Sequence, residues 1–135
     1  MAEDILVKES LTDQMITAGA RLIKRLDYAM SDIRSAFWLY IPESNSWKLI
    51  IASPIAVSEG PRSFYKRIVE ENEKADTDEA FISLNDITVT GTENQMVQLF
   101  TMAIKTNGGI SGIRFSRNTI NGVFIEDAYI YRTGI

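Results

Sequence analysis

The stretch IRFSRNTINGVFIEDAYIYR, Ile113 to Arg132, decides the fold, because Asn121-Gly122 stands between two alternating flanks and Asn-Gly is the preferred pair for a two-residue type I′ turn. With Ile120 opposite Val123, the register pairs Asn118 with Ile125, Arg117 with Glu126, Ser116 with Asp127, Phe115 with Ala128, Arg114 with Tyr129 and Ile113 with Ile130. One face then carries Ile113, Phe115, Phe124, Ala128 and Ile130 toward the core. The other collects Arg114, Ser116, Asn118, Asp127, Tyr129 and Tyr131, the candidate functional surface. A register slip of one residue would exchange the two faces.

Upstream, Ala36–Ile41 and Trp47–Ala52 are short aromatic and β-branched runs on either side of Pro42-Glu-Ser-Asn-Ser46, which predicts a second hairpin. If Ile41 pairs with Trp47, Phe37, Leu39, Ile41, Leu49 and Ile51 share one face, and Trp38, Tyr40, Lys48 and Ile50 the other. Both faces require cover, from helices or from another subunit.

Between and before the hairpins the period changes to helical. Residues 12–33 place Met15, Gly19, Leu22, Leu26 and Met30 on one stripe behind Thr12 as N-cap. Pro61 opens a second helix carrying Phe64, Ile68 and Val69 inward and fraying near Glu73 or Lys74. Thr92 and Gln95 form a capping box for a third, with Met96, Leu99, Phe100 and Ala103 as its stripe and Asn107-Gly108-Gly109 as its stop. Ala80–Leu84 and Ile87–Thr90 are strand-like, as one broken strand or two short ones. The expectation is one α+β domain spanning residues 1–135: a mixed sheet of about five strands, formed by two hairpins and a crossover strand, packed with three helices. Its 135 residues and 15.2 kDa let folding remove about 15,000 Å² from water, enough for one core.

Composition excludes much chemistry. With no Cys and no His, the chain has no disulfide, thiol nucleophile, imidazole base, or Cys or His ligand for zinc or haem. The net charge of −4 is local, since Glu70–Glu79 alone carries six carboxylates and one lysine. The remaining chain is close to neutral and supplies no field to draw nucleic acid or a membrane surface. The opening Met1-Ala-Glu-Asp4 lacks a signal-peptide pattern, and the longest apolar run, Leu49–Val57, is too short to span a bilayer, so a cytoplasmic location is expected.

The short motifs are weak. Ser63-Phe-Tyr-Lys66 has the serine–lysine spacing of an activated nucleophile but reads better as an exposed helical turn. Gly108-Gly-Ile-Ser-Gly112 follows a helix instead of opening one, which inverts the order a phosphate-cradling loop needs and points to close strand packing. Asp76-Thr-Asp78-Glu79 begins like a calcium loop and then fails it, with Phe81 where glycine is required and Ile87 where a bidentate glutamate belongs. No lysine has an acid two residues before it, so the Asp/Glu-x-Lys nuclease pattern is absent; a carboxylate metal site would have to come from Asp86 with Glu126 or Asp127. Arg114, Arg117 and Arg132 interleave with Phe115, Tyr129 and Tyr131, a mixture that serves protein interfaces and also stacks bases.

The sequence therefore points to a non-catalytic module for protein binding or self-association, without cofactor, metal or catalytic residues, on the surface of Arg114, Ser116, Asn118, Asp127, Tyr129 and Tyr131. The alternatives are a metal-dependent phosphoester hydrolase and a nucleic-acid-binding domain using the last hairpin.

Overall fold

The computed structural model describes residues 7–75 and 81–134. It has the expected α+β architecture, with a five-stranded mixed sheet in the order β3-β2-β1-β5-β4. β1 (Ser35–Ile41), β2 (Ser46–Ala52), β4 (Ile113–Ile120) and β5 (Val123–Arg132) are joined by antiparallel pairings, while β3 (Ile87–Thr90) runs parallel to β2 after a helical crossover. α1 (Asp13–Tyr28) and α3 (Pro61–Asn72) cover one face, burying Leu22, Ile23, Phe64 and Ile68 against Trp38, Leu49 and Ile51. α4 (Gln95–Ala103) covers the other, where Phe100 meets Phe37 edge-on at 4.7 Å between ring centres.

Trp38 and Tyr40 are thus buried within a single chain. The first hairpin, however, closes one residue earlier than the sequence suggests, with Ile41 opposite Ser46. Because strand side chains alternate, that one step moves Trp47, Leu49 and Ile51 onto the Trp38 and Tyr40 side and sends Ile50 to Phe37 and Leu39. Asn45, with φ 48°, supplies the left-handed residue that lets the shorter connection turn.

Helix ends differ for similar local reasons. Thr12 Oγ1 does accept from Met15 N (3.1 Å), but α1 stops at Tyr28 and not at residue 33. Met30 adopts φ 58°, so its N–H reaches Asp27 O and that of Ser31 reaches Leu26 O, both at 3.0 Å. This is the paired C-terminal closure usually built on glycine, here made by methionine. α4 is capped by Asn94, whose Oδ1 accepts from Met96 N and Val97 N, in place of the expected Thr92. A short helix, α2 (Pro54–Ser58), was not foreseen; Ser53 Oγ caps it through Ile55 N. Val69, expected in the core, is 38% exposed on α3.

Residues 81–83 are not strand, and Leu84–Asp86 form a 3-10 turn leading into β3. Tyr65 protects the outer edge of that short strand, its hydroxyl accepting from Val89 N and donating to Ile87 O, each at 3.1 Å. The acidic run is partly structural, because Glu71 at the end of α3 is buried and paired with Lys74 at 3.0 Å. Asp76–Glu79 lie outside the described residues.

The final hairpin has its predicted turn, with Asn121 at φ 52° and Gly122 at φ 80°, and every predicted pair except Arg117 with Glu126. Arg117 takes φ 48° and interrupts the ladder. The ribbon turns over there: Ala128 and Ile130 face α4, yet so does Ile125, while Phe124, expected inside, is 59% exposed.

Candidate binding face

Asp127, Tyr129 and Tyr131 alternate along β5 on the α1 side of the sheet and have three different surroundings. Tyr131 is structural. Its hydroxyl accepts from Trp38 Nε1 (2.9 Å) and donates to Ile16 O (2.6 Å), tying β5 to β1 and α1. Burial pushes its phenol pKa well up, so it stays protonated at neutral pH. It fits under α1 only because position 19 is glycine: a Cβ there would overlap the Tyr131 hydroxyl. Opposite it, β5 bulges, as the register against β1 shifts between Ala36 and Phe37.

Tyr129 is half-buried, edge-on to Tyr131 at 5.4 Å, with its hydroxyl packed over the bare Cα of Gly112. It lines a cleft of about 450 Å³ together with Ile16, Ala20, Lys24 and Ile110. The glycine-rich loop thus serves close packing, and Gly109 O also accepts from Arg132 Nε at 3.1 Å.

Asp127 is 4% exposed and carries the polar centre of the face. Arg114 Nε and Nη2 donate to its two oxygens, each at 2.7 Å, and Lys8 Nζ donates to Oδ2 at 2.7 Å. Burial alone would raise the Asp127 pKa, but these cations outweigh it and hold the carboxyl below its ordinary range. The Arg114 guanidinium also lies over the Trp47 ring at 5.6 Å. Lys8 Nζ stands 4.8 Å from the Tyr40 ring centre and 5.8 Å from that of Trp47.

The backbone around Lys8 is held as well. Asn45 Nδ2 donates to Val7 O (3.0 Å), Asn45 Oδ1 accepts from Glu9 N (2.9 Å), and Trp47 Nε1 donates to Glu9 O (2.8 Å). Tyr40 OH orients the Asn45 amide by donating to Oδ1 at 2.6 Å. Lys8, Tyr40, Asn45 and Trp47 were absent from the sequence-derived surface. Only the two aromatic residues had a signal there, as hairpin side chains.

Of the six predicted residues, Arg114, Asp127, Tyr129 and Tyr131 are brought onto one face. Ser116 is exposed opposite Asp127 and bonds to none of them, whereas Asn118 lies past the turnover, paired with Ile125 and accepting from Thr119 N at 2.9 Å.

The other chemistries gain little from this geometry. Asp86 ends the 3-10 turn that leads into β3, which two strands separate from β5, and among the described residues no three acidic side chains converge. Ser63 Oγ points to Glu59 Oε1 (3.4 Å) while Lys66 is exposed. Arg132 is buried and bonded to Asp27 (2.7 and 2.9 Å) and Ile33 O, whereas Arg114 is partly exposed with its Nε and Nη2 on Asp127. No helix among the described residues is long and apolar enough to cross a membrane. Comparison with family models, curated proteins and solved structures finds no match.

Proposed function

We propose that the chain is a non-catalytic protein-binding module of the cytoplasm, and that the face built from β1, β2 and β5 holds an extended segment of its partner. The observation that supports this reading is the way Val7–Glu9 already lies there. Three hydrogen bonds run from side chains of the face to backbone atoms of that segment, the pattern by which a surface holds a peptide whatever its sequence. The hydrogen-bonding groups are fixed in advance, Asn45 by the β1–β2 turn and Trp47 by β2, which reduces the ordering cost of binding.

The test is capture from the native host with the whole chain and its Asn45→Gly variant as baits, glycine keeping the left-handed turn while removing the amide, with their melting temperatures measured alongside. Loss of the captured proteins with little change in melting temperature is the expected result. An identical set captured by both baits would contradict the assignment of this face.

A further inference from the structure

We propose that this face is a lysine-reading site: its ligand in trans is an extended peptide that presents one lysine between two backbone contacts, and Lys8 is a resident competitor. The inference rests on the protein-binding reading and names the chemistry of the partner.

The three bonds from Asn45 and Trp47 reach only Val7 O, Glu9 N and Glu9 O, so they fix the path of the segment without selecting its side chains. Val7 is 78% exposed and Glu9 is also exposed, so the flanking side chains are not read either. What the face does read is the side chain between them. An ammonium group needs an anion and gains from aromatic faces, and here it has Asp127 Oδ2 at 2.7 Å with the Tyr40 and Trp47 rings at 4.8 and 5.8 Å.

Arginine fits this site poorly. A guanidinium pairs best when both carboxylate oxygens face it, and Arg114 already occupies Asp127 in that two-bond manner. The incoming group therefore has a single shared oxygen to meet, which suits the compact ammonium. Acetylation would remove the charge and with it the attraction to both acid and rings.

The site also survives being emptied. Arg114 keeps the buried carboxylate compensated when Lys8 leaves, and Tyr40 keeps the Asn45 amide aligned. In the wild-type chain, residues 7–9 are tethered close by, so they compete at a high effective concentration and mask the site.

The experiment uses the full chain carrying Lys8→Gln, titrated with a blocked synthetic hexapeptide of sequence Ile-Leu-Val-Lys-Glu-Ser while the Trp47 indole N–H is followed by NMR. The expected result is binding at least tenfold tighter than to wild type, at least tenfold weaker when the peptide lysine is replaced by norleucine, arginine or acetyl-lysine, and lost when Asp127→Asn is added. Equal binding of the norleucine peptide would overturn the lysine inference and leave the segment-binding reading standing. No binding of any peptide to a folded Lys8→Gln chain would overturn both. Should that variant not fold, Glu9→Pro, which removes the N–H held by Asn45, is the second route to a vacated site.

Discussion

Asp127 is a carboxylate at 4% exposure compensated by Arg114 and Lys8, and Arg114, which bonds both of its oxygens, is the partner it cannot lose. Arg114→Ala leaves Lys8 as the one cation bonded to it, and removal of a charged hydrogen-bond partner costs about 1.5–3 kcal/mol, to be read from urea unfolding. The pH dependence has a defined sign. The folded pKa lies below the unfolded value of about 3.9, so the stabilisation is complete above that value and is lost as pH falls through the folded pKa. The stability difference between wild type and Asp127→Asn is therefore expected to stay flat from neutral pH down to about 5 and to shrink below about 4; a difference that grows on acidification would contradict the pairing. That Arg114 and Asp127 share a face was legible because the Asn121-Gly122 turn sets the register of the hairpin. Lys8 was not, since 119 residues separate it from Asp127 and no local pattern links them.

At the scale of the element, the sequence announced strands and helices well and their ends poorly, for reasons that are specific to each end. A methionine in the left-handed conformation closes α1, and a helix stop is ordinarily recognised by glycine or asparagine. The first hairpin was misregistered by one residue because Pro42-Glu-Ser-Asn-Ser46 permits either a four- or a five-residue connection, and only packing of Trp47 beside Tyr40 decides. Asn94, not Thr92, caps α4, so Asn94→Ala is expected to cost about 1 kcal/mol of stability, whereas Thr92→Ala, whose backbone carbonyl alone is used by Gln98, is expected to be near neutral. Thermal melts of the two variants check the assignment. Gly19→Ala sets two effects against each other: alanine gains about 1 kcal/mol of helix propensity, and overlap with the Tyr131 hydroxyl costs about 1–3 kcal/mol. Because that hydroxyl is held from both sides and cannot retreat, the net expectation is a lower melting temperature, with a rise contradicting the packing described.

For the whole molecule, the five strands and the three longer helices followed from the order of periodic segments, but the neighbours β1 and β5 did not, since their pairing joins residues about ninety positions apart. The long-range side-chain ties are equally invisible locally: Arg132 closes on Asp27 at the end of α1, and Thr133 N on Thr106 Oγ1 at 3.1 Å. These bonds lock β5 into the core, whereas residues 7–9 are fastened, among the described residues, through one ion pair, two cation–π contacts and three exposed or half-buried backbone bonds. That contrast makes the central claim, a site that can be vacated while the fold persists, directly measurable. Native-state hydrogen exchange of the Glu9 amide and the Trp47 indole N–H, compared with the backbone amides of Phe37 and Ile130, reports the two opening free energies separately. The expected result is that Glu9 and Trp47 exchange through a local opening several kcal/mol below the core amides, unaffected by low urea; exchange of all four only through global unfolding would show that residues 7–9 are an inseparable part of the fold and would contradict the account.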